Sequence, residues 1–212
     1  MLFFIKFYLM MQILLALNFI GIASTSISQI KFDGGFGKGL TFETNDGSFQ
    51  MKFATRFQPR WDYEINLEDN TYYDRMTVKR ARLKFDGFFV NKDLRYKIEY
   101  DVVGGYVRDA VLKYRFAPNW DLWFGQTKLP GNRERVVSSA NLQQVDRSLL
   151  NSRFNIDRDM GMQLRHHFKL SDNFVVKEVF SIAQGEGRNV TTGNLGGHQY
   201  TGRIELLPMG NF

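Results

Sequence analysis

Residues 49–63 read FQMKFATRFQPRWDY. Phe49, Met51, Phe53, Thr55, Phe57, Pro59, Trp61 and Tyr63 fall on one side of a two-residue repeat. Gln50, Lys52, Ala54, Arg56, Gln58, Arg60 and Asp62 fall on the other. Successive side chains of a β-strand point to opposite faces, so strict alternation over this length predicts a strand. It also predicts one much longer than the five or six residues usual in soluble proteins.

The same repeat returns along the chain. MTVKRARLKFDG sets Arg80, Arg82 and Lys84 against Lys79, Ala81, Leu83 and Phe85. LRYKIEYDVV sets Leu94, Tyr96, Ile98, Tyr100 and Val102 against Arg95, Lys97, Glu99 and Asp101. In DAVLKYRF the apolar residues Ala110, Leu112, Tyr114 and Phe116 oppose Lys113 and Arg115, and in DMGMQLRHHF Met160, Met162, Leu164 and Phe168 oppose Gln163, Arg165 and His167. About nine strands are expected, at 36–44, 49–63, 72–87, 94–103, 107–116, 120–127, 159–168, 174–183 and 199–207. That at 174–183 is the least regular, because Glu178 interrupts its apolar side. Turn chemistry at 45–48, 91–93, 117–119 and 171–173 alternates with longer polar connections at 66–73, 128–157 and 184–198.

Three adjacent cations on one strand face repel one another, which brings a soluble sandwich no benefit. They suit a wall that faces water inside a pore. The opposite faces are rich in aromatics, and Trp61, Tyr63, Tyr72, Tyr73, Tyr100, Trp120 and Trp123 lie near strand ends. Aromatic girdles, an apolar exterior, a polar interior and alternating loop lengths are the features of an outer-membrane barrel. The N-terminus agrees: one cation (Lys6), an apolar run from Phe7 to Ala23 and a small, polar stretch follow the order of a secretory signal peptide. Cleavage is expected after Ser28, leaving 27 Lys+Arg against 22 Asp+Glu. That basic excess points to anionic partners. With no cysteine, neither disulfides nor thiolate metal sites are available.

Four segments, VKRARLKFDG (78–87), WFGQTKLPGNRERVVSS (123–139), VDRSLLNSRF with RDMGMQLR (145–165) and RIELLPMG (203–210), resemble the phosphate-selective porin O and P family in sequence and in order. The resemblance implies a sixteen-stranded, usually homotrimeric, passive channel for phosphate, polyphosphate or other small anions, whose loops fold inward to narrow the pore. At roughly 20 residues or more per strand and connection, such a barrel needs about twice this length. The expectation is therefore a signal peptide at 1–28 followed, at 29–212, by the N-terminal half of an all-β, antiparallel transmembrane barrel. The alternatives are a shortened, non-conducting barrel acting as a surface scaffold and, with less support, an outer-membrane barrel enzyme.

The expected anion pathway comprises Arg56, Arg60, Arg80, Arg82, Lys84, Arg95, Lys97, Lys113 and Arg115 on the strands. The connection after residue 127 adds Lys128, Arg133, Arg135, Arg147, Arg153 and Arg158 as candidates for a constriction. Arginine suits phosphate because its planar fork donates two parallel hydrogen bonds, whereas lysine acts as a point charge. The bland alternative is that these cations pair with Asp86, Glu99, Asp101 or Asp109 and fill the wall. No catalytic group, metal site, cofactor or nucleic-acid partner is expected. His166 and His167 are adjacent and face opposite ways, His198 lies in a glycine-rich loop, and no nucleophile, zinc or phosphate-loop motif is present. The remaining partner is outer-membrane lipid.

Overall fold

The computed structural model describes residues 30–210 apart from Phe36, Gln143, Val145, Asn155 and 193–195. The expected signal peptide at 1–28 lies outside the described residues. Ten strands form one sheet: β1 (Ile30–Gly35), β2 (Gly39–Thr44), β3 (Phe49–Asn66), β4 (Thr71–Phe89), β5 (Asn91–Asp101), β6 (Tyr106–Ala117), β7 (Trp120–Lys128), β8 (Arg158–Lys169), β9 (Val175–Ala183) and β10 (Gln199–Leu207). They follow sequence order from β1 to β10, and each registered pair is antiparallel. β1 and β10 stand at opposite ends of that order, so the sheet is not closed on itself. Among the described residues no helix is long and apolar enough to cross a membrane.

The strand expected at 36–44 is β2, Gly39–Thr44, and an unexpected strand, β1, precedes it at Ile30–Gly35. Gly37 and Gly39 have φ of 77° and 81°, a left-handed backbone that reverses the chain between β1 and β2. Ile30 and Phe32 of β1 are well exposed. The irregular segment at 174–183 does form a strand. Its interrupting Glu178 pairs with His166 of β8 at 3.0 Å, and Trp120 stacks on that imidazole with ring centroids 4.1 Å apart.

Burial is inverted relative to a soluble protein. Phe57, Trp61, Phe124 and Ile204 are more than half exposed on the apolar face, whereas Asp109 is 0 % and Arg158 2 % exposed on the polar one. Polar groups are covered and apolar ones displayed, as in a barrel wall with lipid outside. β3 and β4 run for 18 and 19 residues, about twice what a tilted strand needs to cross a bilayer. Their far ends carry the stacked pair Tyr63–Tyr72.

Two corrections follow from bulges and one from side-chain placement. On β4, Gln58 opposes Arg80 while Pro59 opposes Val78, so Lys79 has no register partner. Proline has no N–H for the ladder and is accommodated at such irregularities. Lys79 consequently leaves the apolar side and reaches Asp146 at 3.7 Å. On β6, Glu99 opposes Asp109 and Tyr100 opposes Val107, which leaves Arg108 as the extra residue. Arg108 and Asp109 are then both buried on the polar side. Trp123, expected in an aromatic girdle, instead faces the polar side between Lys113 and Arg165.

Candidate functional site

The connection from β7 to β8 contains two short helices, α1 (Arg133–Val136) and α2 (Leu149–Phe154). Local side chains begin each of them. The Asn132 side-chain oxygen accepts from the Arg135 N–H, and Ser148 Oγ accepts from the Asn151 N–H, both as N-caps. Glu134 ties the two together by accepting from the Ser148 N–H and hydroxyl at 2.8 Å each. Those bonds hold the Glu134 carboxyl below its usual pKa. Lys128 donates to the carbonyls of Val136 and Val137, and Arg147 donates to those of Glu134 and Val137. These are carbonyls that a short helix leaves unpaired.

This connection lies against the polar face of the sheet. Arg56 of β3 donates to the Ser139 hydroxyl at 3.0 Å and carbonyl at 2.7 Å. Asp146 takes Arg60, Lys79 and Arg80 from β3 and β4. Burial pushes the Asp146 carboxyl up, but Arg60 and its neighbouring cations outweigh that and hold it low. At the other end, Arg203 of β10 donates to the Pro130 carbonyl at 2.9 Å.

Asp157 is a second fastening point. Arg108 from β6, Arg135 from α1, Arg158 from β8 and Arg188 from the β9–β10 connection reach it at 3.0, 2.6, 2.8 and 3.3 Å. Desolvation opposes its ionisation, yet the arginines, Arg158 foremost, hold its pKa below the usual carboxylate range. The β9–β10 connection is thereby drawn onto the same face. Asn189 reinforces this by donating its N–H to Gln126 Oε1 at 2.7 Å.

Between the connection and the sheet is a cavity of about 120 Å³, lined by Arg82, Lys84, Lys97, Glu99, Arg108, Lys128, Ser138, Ser139, Arg147 and Arg158. Seven of these side chains are cations and one is a carboxylate. Arg82 pairs with Glu99 at 2.9 Å and with Asp101 at 3.7 Å, Lys97 with Asp109 at 2.6 Å, and Arg158 with Asp109 at 2.8 Å. Counting all four carboxylates that touch this ring, Glu99, Asp101, Asp109 and Asp157, still leaves the seven cations three in excess. Lys84, Lys128 and Arg147 have no carboxylate within salt-bridge distance among the described residues. The volume is roughly that of four waters, enough for one small oxyanion.

Of the residues expected from sequence, Arg82, Lys84, Lys97, Lys128, Arg147 and Arg158 meet at this cavity. Arg56 braces Ser139 beside it, while Arg60 and Arg80 sit farther along β3 and β4 at Asp146. Arg95 pairs with Asp121, and Arg115 lies 3.8 Å from Asp93 near the short turns. Arg135 serves Asp157, and Arg153 is exposed at the end of α2. The Arg133 side chain lies outside the described residues. Arg108 was not anticipated, because strict alternation groups it with Ala110 and Leu112. The signal available was its Arg-Asp pair following Gly104-Gly105, where alternation breaks. Among the described residues no cluster of His, Cys, Asp and Glu is suited to a metal.

The family model for phosphate-selective porin O and P matches residues 53–209. The chain belongs to that family. The match runs from within β3 to the end of β10 and takes in both helices of the β7–β8 connection. Membership implies an outer-membrane channel and not an enzyme. No curated protein matches the chain.

Proposed function

We propose that this chain forms part of a passive, anion-selective pore of the outer membrane, that phosphate or a phosphate polymer is its preferred solute, and that the polar face is the lumen wall. The observation that carries the reading is the cavity of about 120 Å³ with its excess of cations. In a narrow space of reduced dielectric an unpaired charge attracts an anion several times more strongly than in bulk water, where a pair at 4 Å is worth about 1 kcal/mol. Arg82, Arg108 and Arg158 supply planar donors, Lys84 and Lys128 point charges, and Ser138 and Ser139 hydroxyls.

Glu99 supports phosphate in particular. It is 3 % exposed and lines the cavity among cations. A carboxylate repels any anion, but it accepts a hydrogen bond from an oxyanion that still carries a proton. Hydrogen phosphate carries one at neutral pH; sulfate and chloride do not. The row Arg60, Arg80 and Arg56 approaches the cavity from the side of the long connections, and Arg95, Lys113 and Arg115 continue on the side of the short turns. Both sets belong to the proposed pathway, with Arg135 acting through Asp157. The leader at 1–28, the homotrimer and the remainder of a sixteen-stranded wall belong to the same proposal.

The test is electrical. Channels purified from outer membranes and placed in planar bilayers should show a reversal potential favouring chloride over potassium, and millimolar phosphate should block the chloride current. Lys84→Glu with Lys128→Glu should reduce anion preference by well over tenfold, since two unit charges are reversed where screening is weak. A wild-type pore indifferent to the sign of the ion would overturn the reading.

A further inference from the structure

The cations of the polar face are mostly held by carboxylates, which fix their positions but cancel their charge. Lys113 and Arg165 are held differently. The Lys113 Nζ lies 4.1 Å, and the Arg165 guanidinium carbon 3.8 Å, from the centroid of the Trp123 ring. β7 carries the tryptophan, and the cations come from β6 and β8 on its two sides. Two cations this close to one centroid, arriving from opposite strands, take opposite faces of the indole.

An aromatic face attracts a cation through its quadrupole, with no net charge of its own. Arg165 adds a neutral contact, donating from Nε and Nη2 to Gln163 Oε1 at 3.1 and 2.7 Å. The adjacent carboxylate, Asp121, is taken by Arg95. Lys113 makes no ion pair among the described residues, and the Trp123 indole N–H is buried without a hydrogen-bond partner there. The ring is therefore held between its two cations without a hydrogen bond of its own, and neither cation has a carboxylate within salt-bridge distance among the described residues.

We propose that Trp123 is a positioning residue that presents Lys113 and Arg165 as a second anion-binding step, separate from the cavity and nearer the short turns. Its ligand is a small oxyanion such as inorganic phosphate leaving or entering by that rim. The proposal rests on the channel reading. It adds to it that an aromatic ring, and not a carboxylate, sets the strength of this step. A carboxylate in its place would fix the same two side chains while removing the attraction for the ion.

The experiment uses channels purified from outer membranes, with inorganic phosphate added to one side at a time while chloride current is recorded. Trp123→Leu should weaken phosphate block from the short-turn side by about three- to tenfold, the value of one or two cation–π contacts. Block from the long-connection side should change little, and Trp123→Phe should recover part of the loss. Heat-modifiable gel mobility reports assembly of each variant. Should Trp123→Leu not assemble, Lys113→Gln with Arg165→Gln carries the same test, because it removes the charges and leaves the ring. Unchanged phosphate block from the short-turn side in an assembled, anion-selective variant overturns the proposal and leaves the channel reading standing. A wild-type pore without anion preference defeats both.

Discussion

Arg158 of β8 and Asp109 of β6 form a paired, buried contact across the intervening strand β7, with Nε 2.8 Å from Oδ1 and Nη2 3.4 Å from Oδ2. Their side chains are 2 % and 1 % exposed. Asp109 also accepts from Lys97 at 2.6 Å, so three strands converge on one carboxylate. Removing the Asp109 charge takes one of two carboxylates from buried Arg158 and one of two from Lys97. Asp109→Asn is expected to cost about 3–5 kcal/mol, whereas replacing both residues, as Asp109→Leu with Arg158→Met, should cost less than either single change. Thermal loss of the fast-migrating folded form on gels measures both. Additive single and double effects would mean that the pair is not coupled.

A second prediction concerns discrimination between anions. Glu99→Gln keeps the shape of the cavity wall but can no longer favour an oxyanion for its proton. The preference for phosphate over sulfate, read as the ratio of their blocking concentrations, should fall by about tenfold, the worth of one charge-assisted hydrogen bond near 1.4 kcal/mol. An unchanged ratio would remove Glu99 from solute recognition.

The third is a pH dependence at Asp157. Its folded pKa lies below the ordinary value of 3.8, so its contribution to holding the two long connections is present above that value. The contribution is lost as pH falls through the lower, folded value. Proteolysis of the 129–157 connection should therefore stay slow from neutral pH down to about 4 and accelerate only under stronger acid. An acid-active protease gives the measurement. Asp157→Asn should show the fast cleavage already at pH 7, because four arginines lose their common partner.

The apolar face makes the fourth prediction. Leu112, 45 % exposed on β6, has an outward side chain one residue before Lys113. Leu112→Arg should impair assembly by about 2–4 kcal/mol if it lies near the bilayer midplane. Lys113→Arg, on the other face, should assemble normally. Equal recovery of both variants in the outer membrane would mean that the two faces are assigned the wrong way round.

The alternation of FQMKFATRFQPRWDY and KRARLKF was enough to identify long strands, their order and the face carrying Arg56, Arg82 and Lys84. A strand has a period of two, and lipid outside with water inside leaves each residue only one acceptable side. The family was legible for the same reason, since its blocks lie on those strands and on the connection that crosses them. What alternation could not reveal are the places where the period slips. The bulges at Lys79 and Arg108 insert one residue, and each brings two successive charged side chains to the polar side. The first strand was missed because six residues beside a glycine-rich turn carry too little pattern to stand out.

Composition and pattern alone determined that cations would line one face of a sheet. Only the tertiary structure decided which of them keep their charge available. Arg82, Lys97, Arg108 and Arg158 meet Glu99, Asp101, Asp109 and Asp157, which come from other strands or from the far end of the connection. Lys84, Lys128 and Arg147 meet no carboxylate among the described residues, and Lys113 and Arg165 meet an indole. A side chain's identity sets its charge, but its net attraction for a passing ion depends on the neighbours that packing brings within about 4 Å, and several of those neighbours, such as Asp109 beside Arg158, are distant in sequence.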